Sequence, residues 1–258
     1  MTGLLGQIGF VAGRSVRRTL RQPGILVPSL IFPLFLLAVN TPGLQQITRL
    51  PGFPTDNYID FAVIGCVIQG ALFATTTAGS ELALDIESGF LNRLSLTPLR
   101  PAAILLGQLA GAVTVGMLST TLFVTVGLIF GVQFDAGPGG VVVLLVLALL
   151  VCTSFGAIGS LMALRTGSGE AVQAAFPLLF VLFFLSSINL PRPLIEADWF
   201  RTVATWNPIS YMVEGLRSLV VTGWDGAALA KGFGVCAAVI ALAFWAATAS
   251  MRTRMARA

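Results

Sequence analysis

Two charged stretches interrupt an otherwise apolar chain, and they hold most of the side chains that could do chemistry. The first places Asp85, Glu87 and Arg93 among leucine, isoleucine and phenylalanine residues at helical spacing. Carboxylate and guanidinium groups on an apolar background form ion pairs with a docked protein. We therefore expect a short amphipathic helix over 85–98 that docks a soluble partner or, alternatively, only caps a helical bundle. Proline at 98 and 101 would end this helix and begin the next one.

The chain has no histidine, which excludes Ser-His-Asp and Cys-His catalysis, imidazole metal sites and a histidine proton relay. Cys66, Cys152 and Cys236 lie far apart, each within an apolar run, so no metal-ligand spacing exists. We expect all three to be small buried hydrophobic residues and expect neither a metal nor a cofactor on this chain.

The composition points to a protein that lies in a bilayer. Hydrophobic residues make up 56% of the 258 residues and charged residues only 10%, against about 25% charged in a typical soluble domain. Six uncharged runs are each long enough for a helix to cross about 30 Å of hydrocarbon. They cover 22–48, 61–80, 101–134, 136–164, 171–191 and 232–251. The expected fold is therefore an all-α membrane protein with six transmembrane helices and a single domain over 1–258.

The basic residues predict the orientation. With six spans, ten of the 15 basic residues fall on the side of the termini, which favours cytoplasmic termini in the plasma membrane. Near the N-terminus, apolar residues share one helical face while Arg14, Arg17, Arg18 and Arg21 share the other. This pattern over 1–22 predicts an amphipathic helix in the inner interface, either a simple anchor or a lever to a cytoplasmic partner. The formal charge of +4 is too scattered for a nucleic-acid partner.

The second charged stretch, 192–228, contains apolar runs that are too short to span a membrane. Three of the four tryptophans lie here together with Tyr211, and both residue types favour the membrane–water boundary. We expect one or two short re-entrant or interfacial helices on the outer face, or a solvated loop. Glu214 and Arg217 have the i, i+3 spacing of a local ion pair.

Polar residues within the runs are sparse, and no charge lies deep in a span apart from Glu81 near an inner end. An ion-coupled carrier usually keeps an intramembrane carboxylate for that work, so energy is expected to enter from outside the membrane domain. The pathway or gate candidates are Gln69, Phe73, Phe180, Phe184, Asn207 and Tyr211.

Three motifs together resemble the ABC-2 type permease family, the membrane subunits of type V ABC exporters. They are Asp85-Ile-Glu-Ser-Gly-Phe-Leu-Asn-Arg-Leu-Ser-Leu-Thr-Pro-Leu-Arg with Leu105-Leu-Gly-Gln108, Trp206-Asn-Pro-Ile-Ser-Tyr-Met-Val-Glu-Gly-Leu-Arg217, and Arg17-Arg-Thr-Leu-Arg-Gln-Pro23. Phe90 and Asn92 depart from the family's usual threonine and glutamate, and Gln108 from its usual lysine. Within the family, the chain looks most similar to the daunorubicin-resistance type of drug permease.

The resemblance implies a role for each segment. The 85–98 helix would be the coupling helix in a groove of a nucleotide-binding subunit, with Asp85, Glu87, Arg93, Thr97 and Pro98 as the coupling residues. The 1–22 helix would be the connecting helix, which contacts the same nucleotide-binding subunit. The 192–228 segment would form outer re-entrant helices, and two permease subunits, identical or paralogous, would enclose one pathway among membrane lipids.

The chain has no Gly-x-x-x-x-Gly-Lys-Ser/Thr run, so ATP and Mg²⁺ are expected on the separate ATPase subunit. The expected function is a permease subunit, without an enzymatic site of its own, that exports amphipathic drugs or lipid-like molecules. The alternatives are a polysaccharide or glycolipid exporter permease and an ATP-independent carrier or channel.

Overall fold

The computed structural model describes residues 4–95 and 101–255, and within these ranges the regular structure is helical. The α-helices are α1 (Leu4–Leu20), α2 (Pro23–Leu44), α3 (Tyr58–Glu87), α4 (Phe90–Ser95), α5 (Pro101–Ile129), α6 (Gly137–Thr166), α7 (Gly169–Ala174), α8 (Phe176–Phe184), α9 (Asp198–Trp206), α10 (Pro208–Val221) and α11 (Gly226–Met255). Two short 3-10 turns cover Gln45–Arg49 and Arg192–Leu194. The predicted all-α fold is confirmed.

Helix α3 is the centre of the bundle, and α2, α5 and α6 pack around it. Its most apolar part is 83% buried, against 17% for the corresponding parts of α2 and α11. The difference follows from composition, because α3 alternates small residues such as Gly65 and Ala71 with Ile64, Ile68 and Leu72, which lets neighbours approach from several sides. The peripheral helices expose apolar side chains that a membrane would cover.

Five helices in the described ranges, α2, α3, α5, α6 and α11, are long and apolar enough to cross a membrane. The predicted fifth span over 171–191 instead forms two short helices, α7 and α8, so the count of six long spans is not confirmed. The helix breaks at Ala175, two residues before Pro177. Proline has no amide hydrogen to donate to the preceding turn, so Pro177 does not fit inside a continuous helix. It fits in the first turn of a new helix, and Pro177 lies in the first turn of α8.

The two ends of the bundle differ, and we name them after the first and last residues of α3. The Glu87 end holds the turn to α4 and the start of α7. The Tyr58 end holds the short helices α9 and α10 and the loop over 130–136, where the amide of Ala136 donates to the carbonyl of Leu219 at 3.2 Å. Short helices within 192–228 were expected, and α9 and α10 confirm them as helices, while their place relative to a membrane stays a prediction.

Candidate functional site

Two buried carboxylates lie one helical turn apart near the Glu87 end of α3, and α1 supplies their partners. The hydroxyl of Ser15 lies 2.9 Å from Oε2 of Glu81 and 2.9 Å from the backbone carbonyl of Gln108. The hydroxyl of Thr19 donates to Oε1 of the same glutamate. Ser15 and Thr19 are one turn apart on α1, so together they hold both oxygens of one carboxylate.

Asp85 is buried and is surrounded by donors. Arg14 donates to Oδ2, Arg18 donates to Oδ1 at 3.0 Å, and the side-chain amide of Gln108 also donates to Oδ2. The guanidinium of Arg14 further lies 4.0 Å from the centre of the Phe90 ring in α4. Because an unpaired buried carboxylate is costly, these donors are what stabilises the side chain of Asp85 at this position.

Two glycines of α5 explain why α1 packs so closely. A Cβ atom at Gly107 would lie 2.5 Å from Cβ of Val11, and one at Gly111 would lie 2.4 Å from Oγ of Ser15. A larger residue at either position would force the helices apart. The small-xxx-small spacing therefore brings the hydroxyls of α1 within reach of the carboxylates of α3.

The predicted single helix over 85–98 is wrong in its described part. Helix α3 continues through Glu87, and α4 is a separate helix that begins at Phe90. Gly89 lies between them with φ of +67°, a left-handed conformation that ends a helix and favours glycine. Thr97 and Pro98 lie outside the described residues.

Glu87 and Arg93 lie exposed on either side of this turn, while Asp85 is buried. Oε1 of Glu87 accepts the backbone amide of Gly169 at 3.1 Å, which joins the end of α3 to the start of α7. Arg93 donates to the carbonyl of Ser88 at 3.4 Å. Of the coupling residues predicted from the sequence, Glu87 and Arg93 are thus accessible to a partner, whereas Asp85 is an internal anchor.

The four predicted arginines of α1 divide into two pairs. Arg14 and Arg18 reach Asp85, while Arg17 and Arg21 are exposed. Sequence reasoning missed Ser15 and Thr19 as members of the site. A signal was present, because both fall in the middle of the apolar face of α1 at 100° per residue, where a polar residue needs a buried partner.

The phenylalanine pathway candidates lie in a continuous row of rings. The ring centroids of Phe73 and Phe176 are 5.2 Å apart, those of Phe176 and Phe180 are 5.1 Å apart, and those of Phe180 and Phe184 are 5.9 Å apart. Phe32 of α2 joins the row at 5.9 Å from Phe180. The structure thus brings three of the predicted residues together on the side of the bundle where α2, α3 and α8 meet.

Gln69 lies on α3, one turn from Phe73, and is buried beside a small cavity of about 30 Å³. Its side-chain oxygen has no hydrogen-bond partner among the described residues. Gln69 is therefore the polar pathway candidate with hydrogen-bonding capacity to spare.

Asn207 and Tyr211 lie away from the aromatic row and shape the corner between α9 and α10. The side chain of Asn207 accepts the amide of Ile209 at 2.9 Å and donates to the carbonyl of Leu182 at 2.6 Å. The hydroxyl of Tyr211 donates to the carbonyl of Thr205 at 2.8 Å. Asn207 therefore caps the start of α10, and Tyr211 joins α10 to the end of α9.

At the Tyr58 end, the expected ion pair between Glu214 and Arg217 does not form. Glu214 instead binds Arg192 through both carboxylate oxygens, with Nε of Arg192 2.7 Å from Oε1. Arg217 is buried and donates to the carbonyls of Ser187 and Ile188 at 2.8 and 2.7 Å. This burial lowers the pKa of the Arg217 guanidinium to about 9, against the opposing effect of the Glu214 charge.

Comparison with known proteins decides the family. The sequence pattern of the ABC-2 type transporter family matches residues 6–221, which include the Glu87-end cluster and the α9–α10 corner. The chain belongs to the ABC-2 type transporter family.

Among similar members of this family, the daunorubicin resistance ABC transporter permease protein DrrB1 of Streptomyces coeruleorubidus is 31% identical over 173 residues. The match covers 64% of this chain and 59% of that protein, so the chain spans about three fifths of this relative's length. The putative transport permease ycf38 of Pyropia yezoensis is 28% identical over 84% of this chain and 74% of its own length. The ycf38 permease of Porphyra purpurea is 26% identical over 86% and 77%. The chain is thus similar to proteins named as transport permeases.

Proposed function

We propose that this chain is the membrane subunit of an ATP-driven exporter, energised by a separate nucleotide-binding subunit that docks at the Glu87 end. The observation that carries the proposal is the cluster around Glu81 and Asp85, which joins α1 and α3 directly beneath an exposed, charged turn. Membership of the ABC-2 family supports the same conclusion, because an ATPase subunit normally accompanies such a permease.

The contacts at the Glu87 end suit the transmission of force. A partner pressing on α4 would act on α1 through the Arg14–Phe90 contact and on α3 through the turn at Gly89. Asp85 joins α1 to α3 through Arg14 and Arg18, and Glu87 joins α3 to α7. These helices would therefore move together as one lever rather than bend separately.

ATP and Mg²⁺ belong to the partner in this proposal, because the sequence has no phosphate-binding glycine loop. This chain supplies the lever and the pathway. Its proposed coupling surface consists of Glu87, Arg93, the α4 helix and the neighbouring exposed Arg17 and Arg21 of α1.

The proposed pathway follows the aromatic row. A groove of about 330 Å³ lies where α2, α3 and the α7–α8 pair meet, and Phe73 and Phe176 line it. The adjoining faces of α2 and α8 expose large apolar side chains: Val27, Ile31, Phe35, Leu178 and Val181. A second permease subunit, identical or paralogous, would cover this face and enclose the row, with Gln69 as a polar contact.

An apolar, aromatic route fits an amphipathic drug or lipid-like molecule better than a sugar polymer, which favours stacking on tryptophan. Trp199, Trp206, Trp224 and Trp245 do not line this groove. The proposed location is the plasma membrane with both termini in the cytoplasm, so that the Glu87 end faces the ATPase and transport runs outward.

The test is co-expression of the tagged chain with candidate ABC ATPases, followed by purification and reconstitution into vesicles. We expect an ATPase to copurify and ATP to drive uptake of a fluorescent amphipathic drug into inside-out vesicles. Glu87→Lys and Arg93→Glu should each lower ATPase recovery at least about tenfold, since each reverses the charge of an exposed contact.

Glu196→Lys is the matched control, because Glu196 is an exposed glutamate beyond α8, outside the proposed coupling surface, and should retain the ATPase. The proposal fails if vesicles containing this chain alone accumulate the drug uphill. It also fails if charge reversal at both Glu87 and Arg93 leaves the ATPase bound and transport coupled.

A further inference from the structure

A second site lies at the Tyr58 end, away from the proposed coupling surface. It is a pocket of about 690 Å³ between the loop at Pro54, the turn over Pro191–Pro193, α9, α10 and the start of α11. Three arginines line it, Arg192, Arg201 and Arg217, together with the carboxylates of Glu214 and Asp225 and apolar side chains such as Val221. Its shape and chemistry therefore combine cationic groups with an apolar wall.

Arg217 has the least compensated charge of the three arginines. No carboxylate of the described residues lies within ion-pair distance of it, and its guanidinium instead lies 3.4 Å from the centre of the Phe61 ring. Its Nη atoms donate to two backbone carbonyls, but its Nε has no hydrogen-bond partner within the described residues. Arg217 lines the pocket although the residue is only 6% exposed, and its buried Nε keeps hydrogen-bonding capacity that no described residue uses.

The carboxylates around the pocket are already engaged. Arg192 holds both oxygens of Glu214, and Asp198 pairs with Arg201 at the rim. Oδ1 of Asp225 accepts the amides of Ala227 and Ala228 and so caps α11. The positive charge of Arg217 is thus left for a ligand from outside the described chain.

The depth of the pocket relative to the membrane indicates the source of that ligand. Trp199, Trp206 and Trp224 lie on the same end of the bundle and are 66%, 84% and 60% exposed. Exposed tryptophans favour the boundary between hydrocarbon and water, which is the depth of lipid headgroups. The apolar wall beside Arg217 would accept the first carbons of an acyl or glycerol moiety.

We infer that this pocket binds a phosphate group, presented by an anionic phospholipid headgroup or as free phosphate, with Arg217 as its principal donor. Charge-assisted hydrogen bonds from a guanidinium fit the tetrahedral phosphate oxygens. Such a ligand would bridge α10 to α9 and to the start of α11 across the pocket. The inference does not depend on which subunit docks at the Glu87 end.

The experiment measures binding of phosphatidylglycerol to the full chain in phosphatidylcholine nanodiscs, by native mass spectrometry and by the shift in thermal denaturation. Arg217→Lys keeps a charge but loses the guanidinium fork, and Ala228→Phe fills the pocket without touching Arg217. We expect each to weaken phosphatidylglycerol binding at least about tenfold, Arg217→Lys because it loses a charge-assisted hydrogen bond and Ala228→Phe because its ring occupies the space of the ligand.

Ala227→Phe is the control, because this neighbouring alanine is exposed and does not line the pocket. It should bind phosphatidylglycerol like the unaltered chain. If Arg217→Lys fails to fold, the comparison of Ala228→Phe with Ala227→Phe decides the question.

A parallel titration with inorganic phosphate distinguishes the two sources. Stabilisation by millimolar phosphate that Ala228→Phe abolishes supports a free phosphate ligand, and stabilisation by phosphatidylglycerol alone supports a lipid headgroup. Equal phosphatidylglycerol binding by all variants, with no effect of inorganic phosphate, overturns the inference.

Discussion

At the Glu87 end, the buried charges are carboxylates, and the chain itself supplies every partner from α1 and α5. At the Tyr58 end, the buried charge is the guanidinium of Arg217, whose direct contacts among the described residues are two carbonyls and an aromatic ring, with the charge of Glu214 acting from beyond ion-pair distance. Desolvating a charge is costly in both places, but only the carboxylates of the first cluster have both oxygens paired, while Oε1 of Gln108 beside them has no hydrogen-bond partner among the described residues. The comparison indicates that the first cluster stiffens the bundle, whereas the second is left open to a ligand.

The largest expected effect on stability comes from removing the carboxylate of Asp85. In Asp85→Ala, Arg14 and Arg18 lose their shared carboxylate while remaining half-buried, so the free energy of unfolding should fall by about 3 kcal/mol. Denaturation in mixed detergent micelles measures the change.

The matched control is Asp198→Ala, which breaks an exposed pair with Arg201. Exposed ion pairs contribute less than about 1 kcal/mol, so this variant should unfold almost like the unaltered chain. Equal losses for the two aspartates would show that burial at the Glu87 end is not what makes the cluster strong.

A second test separates α1 from α5 without altering any charge. In Gly111→Ala, the added Cβ would lie 2.4 Å from Oγ of Ser15 and 2.5 Å from Oγ1 of Thr19, so α1 must shift and Glu81 loses donors. We expect the free energy of unfolding to fall by about 2 kcal/mol, as in other overpacked contacts.

Gly234→Ala is the control, and it should change the free energy of unfolding in the opposite direction. Gly234 lies in α11 with no atom within 4 Å of an added Cβ, so alanine should raise the free energy of unfolding by up to about 1 kcal/mol through helix propensity. A gain in Gly111→Ala as well would contradict the close approach of α1 to α5.

Sequence reasoning predicted the helical fold, because apolar run length and amphipathic spacing are local properties. It grouped Glu87 and Arg93 with Asp85 and did not separate the exposed residues from the buried one. It failed where pairing is tertiary. Glu214 and Arg217 have ideal local spacing, yet Arg192, 22 positions before Glu214, takes the carboxylate. The buried role of Asp85 likewise depends on Gly107 and Gly111, whose small-xxx-small spacing is typical of close helix packing but does not identify α1 as the partner.

The smallest loss of stability is expected for the Arg192–Glu214 ion pair at the Tyr58 end. Arg192→Ala leaves Glu214 without its two charge-assisted hydrogen bonds, but both side chains are about a fifth to a quarter exposed, so water recovers part of the loss. Arg217, three residues along α10, can also share the freed carboxylate. We therefore expect a loss of only about 1 kcal/mol in the free energy of unfolding.

A double-mutant cycle with Arg192→Ala and Glu214→Gln isolates the pair from other effects of each change. A coupling energy of about 1 kcal/mol, clearly below the loss in Asp85→Ala, would sharpen the contrast between the two ends. If the coupling were instead as large as the Asp85 effect, the Tyr58 end would be as closed as the Glu87 end.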